Sequence, residues 1–258
     1  MTTFITRHKR ALYRILSAAA WFAVWQLFSV IVGEQLFLAS PLSVLKKLGE
    51  LFQTKGFYLA VLFSLTRITL GFVCAAAVGC ALGALAYKSE LARVLLRPFM
   101  AVVKATPVAS FIILALIMTG SENLSALISF LMVLPVFYSN ILSGLSSVEP
   151  ERFEAAEVFG MARGDRFRFI FMPYVTPYFS SACSIGLGMA WKSGVAAEVI
   201  GLAAGSMGEK LYEAKIYLDT AELFAYTTII ILISLLLERF SLRLVRAAEA
   251  SLLKNRYI

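Results

Sequence analysis

Few side chains in this sequence could make or break bonds. His8 is the only histidine among 258 residues, so imidazole acid–base or metal chemistry has almost nothing to work with. Cys74, Cys80 and Cys183 all lie inside apolar stretches, which suits small buried residues better than a disulfide framework or a metal site. The serines are scattered and supply no convergent catalytic set. What remains is charge in uncommon surroundings. Arg67, Lys104, Lys192 and Glu198 sit within or at the edges of long apolar runs. Well inside a bilayer an ionisable group costs about 2.5 to 3.5 kcal/mol, so such groups usually face a cavity or a partner. A second concentration of charge, with Glu149, Glu151 and Glu154 leading to Arg163, Arg166 and Arg168, lies between two apolar runs.

The elements that must position these residues follow from composition. Hydrophobic residues make up 60% of the chain and charged residues 16%, against roughly 45–50% and 25% in soluble domains. A water-soluble enzyme and a disordered chain are both excluded on that ground. A helix crosses the hydrocarbon core with about 20 mostly apolar residues. Six such spans are expected, at about 11–33, 60–87, 98–120, 124–144, 174–195 and 221–240. The fold class is therefore an all-α, polytopic membrane helix bundle forming a single transmembrane domain over 1–258. The first run is long enough to stay as an anchor rather than act as a short signal peptide. Lys104 and Pro107 interrupt the third span, and Pro135 is a candidate kink in the fourth. Gly79 and Gly83 form a small-xxx-small motif that fits either packing inside one subunit or a dimer seam.

Charge gives the orientation. With both termini cytoplasmic, sixteen of the 24 basic residues fall on inside segments and five on the outer segments 34–56 and 196–222. That asymmetry follows the positive-inside bias. It also accounts for the net charge of +8 without nucleic acid as a partner.

The segment 147–173 is longer than most connections between packed helices. It reads as two short helices. Pro150 suits a first helical position, with Glu149, Glu151 and Glu154 favouring the N-terminal dipole. Gly160 can close the helix in a left-handed cap, Asp165 is a candidate N-cap for the second helix, and Pro173 then separates that helix from span five. Phe153, Ala156 and Gly160 recur at helical spacing and offer a small apolar face to a partner. The other reading, an interfacial helix on lipid headgroups, suits its acidic character less well.

Glu154-Ala155-Ala156, three residues, Gly160, nine residues, Ile170, one residue and Met172-Pro173 resembles the EAA motif of ABC importer permeases, with Met172 where Leu is usual. Ser64-Leu65-Thr66-Arg67 with Gly71-Phe72, and Ala190-Trp191 with Val195-Ala196-Ala197-Glu198, are similar to stretches of the nitrate, sulfonate and taurine permease group. The resemblance covers roughly residues 60–245. It implies a type I importer subunit in the bacterial plasma (inner) membrane. The implied partners are two ABC ATPase subunits, an extracytoplasmic substrate-binding protein, a second permease copy as a homodimer, and membrane lipid. ATP and Mg belong to the ATPase partner, and no cofactor is implied for this chain, which has no Gly-x-x-x-x-Gly-Lys-Ser/Thr run. The residues implied in ATPase coupling are Glu154, Ala155, Ala156, Gly160, Ile170 and Pro173. The solute implied is small and anionic or zwitterionic.

Lys192, Glu198 and Arg67 are the candidates for the translocation pathway or its gate. Lys192 either lines the route and attracts an acidic group, or makes an ion pair with Glu198, or snorkels to the surface. Arg67 is expected to pair with an acid of another helix, and Lys104 to snorkel. Ser206-Met207-Gly208-Glu209 fits a capping box that opens a helix through Tyr217, and a similar surface helix is expected in 34–56. A secondary transporter or channel would explain intramembrane charge but not the acidic loop. An intramembrane enzyme lacks a catalytic set.

Overall fold

The computed structural model describes residues 2–33 and 37–254, with the side chains of 2–11, 14, 153, 244–246 and 248–254 excluded. The side chains of His8, Phe153 and the basic residues Arg7, Lys9, Arg10, Arg14, Arg246, Lys254 and Arg256 therefore lie outside the described residues, as does the start of the outer segment at 34–36. Among the described residues every regular element is helical. The chain divides into two contact units, residues 1–59 with 210–230, and residues 60–209 with 231–258.

The first unit holds α1 (Thr2–Val32) and α2 (Pro41–Leu51), together with the start of α3 (Lys55–Lys88) and of α11 (Thr220–Lys254). α2 is the surface helix expected in 34–56. Ser40 caps it by accepting the Ser43 N–H at 3.1 Å, and Pro41 stands where its missing N–H is not needed. Trp25 Nε1 donates to the Ala39 carbonyl and Ser29 Oγ to the Leu38 carbonyl, both at 3.1 Å, tying α1 to the turn before α2. Lys47 of α2 reaches Asp219 at 2.7 Å and Glu222 at 2.9 Å. Asp219 also accepts the Glu222 N–H at 2.9 Å, so one lysine holds the first turn of α11.

The second unit is built on α3, α6 (Leu124–Ser146) and α9 (Met172–Gly201). Gly79 and Gly83 set how closely α3 approaches α6. A Cβ at Gly79 would stand 2.6 Å from Phe137 Cβ, and one at Gly83 would stand 3.0 Å from Ile141 Cβ. The small-xxx-small face is thus occupied by α6 of the same chain. Phe137 bridges the three helices, edge-on to Phe72 at 5.6 Å and tilted to Phe179 at 5.7 Å. Pro135 lies inside α6 without ending it.

The expected third span is two helices, α4 (Glu90–Ala105) and α5 (Val108–Thr119), bent by 104°. The break falls at Thr106-Pro107. A residue before proline is pushed out of the helical region, and Thr106 is extended with ψ 130°. Among the described residues, four helices are long and apolar enough to cross a membrane, or five if the bent pair is one span. The expected fifth span falls within α9, which is not one of these helices. Its buried face carries small residues and Trp191 rather than a lipid-facing apolar coat, because protein, not lipid, covers that side.

Between α6 and α9 the chain forms α7 (Pro150–Val158), a single turn α8 (Arg163–Arg166) and a π-helical turn (Phe167–Phe171). Ala162, not Asp165, precedes the second helix, and Asp165 lies in its first turn. Pro173 does not separate helix from span. It sits in the first turn of α9, directly after the π-helical turn in which the Met172 N–H reaches back to the Phe167 carbonyl. Beyond α9, α10 covers Met207–Ile216, one residue short of the expected end.

Candidate functional site

α9 joins two sites at opposite ends, roughly 40 Å apart at 1.5 Å per residue. At its N-terminal end stands the loop helix α7. Pro150 occupies its first helical position and Glu151 its first turn. Gly160, at φ +61°, closes it: its N–H donates to the Glu157 carbonyl at 3.0 Å and the Met161 N–H to the Ala156 carbonyl at 2.9 Å. This is a Schellman cap, and Met161 supplies the apolar contact that accompanies such a cap by packing on Val148, Ala156 and Ile170.

The cap decides which side of α7 is available. Ala156 is only 4% exposed, and Ile170 and Val148 are buried with it. Of the implied coupling residues, Ala156 and Ile170 thus hold the loop to the bundle. Glu154, Ala155, Gly160 and Pro173 are exposed. Glu151, Glu154, Ala155 and Val158 share one exposed face, spaced i, i+3, i+4 and i+7. Val158 and Phe159 are 83% and 84% exposed. Neither was selected from the sequence, yet the i+3/i+4 recurrence from Glu151 to Val158 was there to read. An acidic rim around exposed apolar side chains suits a basic, apolar partner surface. Arg152 makes a local pair with Glu149 at 3.0 Å and lies 5.3 Å from the Tyr174 ring centroid.

The other end is the reverse in character. Glu198 is fully buried. Its Oε2 accepts from Ser64 Oγ at 2.6 Å and from the Gly208 N–H at 3.3 Å. Ser64 Oγ in turn accepts the Met207 N–H at 3.0 Å. One carboxyl therefore ties α3, the end of α9 and the start of α10. Glu198 Oε1 and Ser125 Oγ are buried without hydrogen-bond partners among the described residues. Ser206 caps α10 by accepting the Glu209 N–H at 3.0 Å, while Glu209 reaches back to the Gly205 N–H at 2.6 Å. The expected capping box forms with its return bond one residue early.

The candidate pathway residues do not converge on one another. Lys192 is exposed and makes no ion pair with Glu198, which is committed to Ser64 and Gly208. Arg67 donates to the Glu122 carbonyl and, at 2.5 Å, to Asn123 Oδ1, rather than to an acid. It also stands 4.7 Å from the Phe63 ring centroid. Lys104 donates to Ser139 Oγ at 2.7 Å. Sequence reasoning did not select the Lys47–Asp219–Glu222 clamp, in which Lys47 is far in the chain from both acids. Its electrostatics are clear. Burial works against the charge on Lys47, but the hydrogen bonds to Asp219 and Glu222 outweigh it and raise the lysine above its ordinary value. For Asp219 burial acts upward, and the bond to Lys47 with the Glu222 N–H brings the carboxyl below its ordinary value.

Residues 67–254 match the family described as "Binding-protein-dependent transport system inner membrane component". The chain is 30% identical over 220 residues to the taurine transport system permease protein TauC of Escherichia coli (strain K12), covering 83% of this chain and 80% of that one. It is 28% identical over 234 residues to the nitrate import permease protein NrtB of Synechocystis sp. (strain ATCC 27184 / PCC 6803 / Kazusa), covering 86% and 83%. Its fold is similar to that of the MetNI methionine ABC transporter in an inward-facing conformation, with a TM-score of 0.61 at 16% identity, covering 73% of this chain and 94% of that one. A match over most of the bundle, residues 147–173 included, leaves one assignment: the chain belongs to the binding-protein-dependent transport system inner membrane components, as a multi-pass permease subunit of an ABC importer whose ATP hydrolysis resides on a separate subunit.

Proposed function

We propose that this permease works as a homodimer served by two ATPase subunits, with both termini cytoplasmic, and that α7 is the part each ATPase grips. The observation that carries this reading is the exposed face Glu151, Glu154, Ala155 and Val158 on a helix whose opposite side is anchored by Ala156. A force applied to that face passes through the Val148–Ala156–Ile170 cluster into the π-helical turn and α9. Ala155 keeps the face shallow at its centre, Glu154 supplies charge, Gly160 fixes the turn, and Pro173 stands where the loop meets α9. ATP and Mg act on the partner. Coupling then consists of the ATPase binding one arrangement of the bundle more tightly than the other.

The transported solute in this reading is a small anion or zwitterion, in keeping with relatives named for taurine and nitrate. Lys192 lines its route. It closes an exposed stripe of α9 formed by Pro173, Pro177, Ser181, Ile185, Met189 and Lys192, a cation at the end of a face the bundle leaves uncovered. Glu198 and Arg67 serve the gate as positioning residues, one holding α10 to α3 and α9, the other holding the 122–123 turn to α3.

Cysteine cross-linking in the assembled transporter tests the coupling assignment. Ala155→Cys and Val158→Cys are expected to cross-link to the ATPase, and Ala156→Cys to remain unreactive until the loop is unfolded. Cross-linking through Ala156→Cys alone would contradict the assigned face.

A further inference from the structure

α4 is amphipathic in an inverted sense. Arg93, Arg97 and Lys104 fall within about 40° of one another around the helix, at 100° per residue. Arg97 and Lys104 are exposed and Arg93 is half-buried. This basic side lines a cleft of about 390 Å³ whose other wall is Tyr138, Ser139 and Leu142 of α6. The far side of α4 presents Leu91, Val94, Leu95, Phe99 and Val102, all exposed. Positive-inside bias places cations near a membrane face, but it does not gather three of them along one side of a single cleft.

The cations in the cleft are not neutralised from within. No carboxylate lines it. Arg93 has a local partner in Glu90 at 3.4 Å and also donates to the Ala86 carbonyl. Among the described residues Lys104 has only the Ser139 hydroxyl, which in turn donates a hydrogen bond to the Pro135 carbonyl. Arg97 makes no hydrogen bond or ion pair among the described residues. A guanidinium beside an ammonium forms the donor set that recognises a tetrahedral or planar oxyanion. The cleft's lining comes from α4 and the second half of α6, and Arg93 also reaches Ala86 near the end of α3.

We propose that the α4–α6 cleft is an oxyanion site that takes the phosphate of an anionic lipid or a free sulfate- or sulfonate-type anion. The inference does not depend on the coupling reading, since no residue of 147–173 lines the cleft. The test uses the full transporter in nanodiscs. In discs of phosphatidylcholine alone, inorganic sulfate is titrated by calorimetry. In discs containing phosphatidylglycerol, retained lipid is counted by native mass spectrometry.

Arg97→Gln, and Arg97→Gln with Lys104→Gln, are expected to weaken whichever anion binds by about fivefold per removed cation, and Arg97→Lys to restore most of the binding. Retention of phosphatidylglycerol without a sulfate response assigns the site to lipid. A sulfate response in phosphatidylcholine discs assigns it to a free anion. Equal sulfate and lipid binding by wild type and the folded single variant Arg97→Gln would overturn the proposal.

Discussion

The two ends of α9 put charge to opposite uses. At the loop end, four glutamates of the α7 region, Glu149, Glu151, Glu154 and Glu157, are exposed, and the helix is held by the few buried apolar contacts under Ala156. At the far end a single glutamate, Glu198, is fully buried and binds two donors on different elements. The first arrangement leaves a surface that another protein can read. The second fastens the chain to itself. Charge density in the sequence is therefore no guide to role; whether the carboxylate is buried against donors of other elements is.

Substitutions that swap these characters sharpen the contrast. Ala156→Arg forces a cation into the loop cluster, and about 4 kcal/mol of destabilisation is expected from burying an unpaired charge, read as a lowered unfolding midpoint together with loss of transport. Glu198→Ala leaves the Ser64 hydroxyl and the Gly208 N–H without their acceptor, at a cost of about 3 kcal/mol. Glu198→Gln keeps an acceptor oxygen and should stay near wild type. If the alanine variant unfolded at the wild-type midpoint, the buried end would not be a fastening.

The Lys47 clamp is a third case, intermediate in burial. Lys47→Met is expected to cost about 1 kcal/mol, measured as a small fall in the unfolding midpoint. Because Asp219 is held below its ordinary value, its contribution is present above the unfolded carboxyl range near pH 4 and is lost as pH falls through the lower folded value. The raised Lys47 contributes fully up to the ordinary lysine range and loses its share only as pH rises through its folded value. The wild-type advantage over Lys47→Met should accordingly be flat from about pH 5 to 9 and shrink in acid. Smallest of all, Lys192→Met should change stability by less than about 0.5 kcal/mol, as an exposed substitution, while lowering uptake of an anionic solute. Unchanged uptake would remove Lys192 from the pathway.

Much of this was legible in the sequence because it depends on local pattern. The apolar runs gave the long helices, and Pro150 with Gly160 gave both ends of α7, since one tolerates a missing N–H and the other a left-handed turn. The serine and glutamate at 206 and 209 gave the cap of α10. The rest is long-range. Nothing near Lys47 in the chain announces Asp219, and the partners of Glu198 lie on α3 and in the first turn of α10. The bend between α4 and α5 was foreshadowed by Pro107, but its 104° angle is set by packing. Ala156 was read as part of a partner-facing surface because helical spacing shows which residues share a face and not which way the face points. The buried contact of Met161 with Ala156 supplies that direction.

The central claim is that the exposed side of α7, not its buried side, carries the ATPase's work into the bundle. Its most direct test is binding-protein-stimulated ATP hydrolysis by the reconstituted transporter carrying Ala155→Arg. The account predicts an unfolding midpoint equal to wild type with stimulation abolished. Full stimulation in that variant would contradict it.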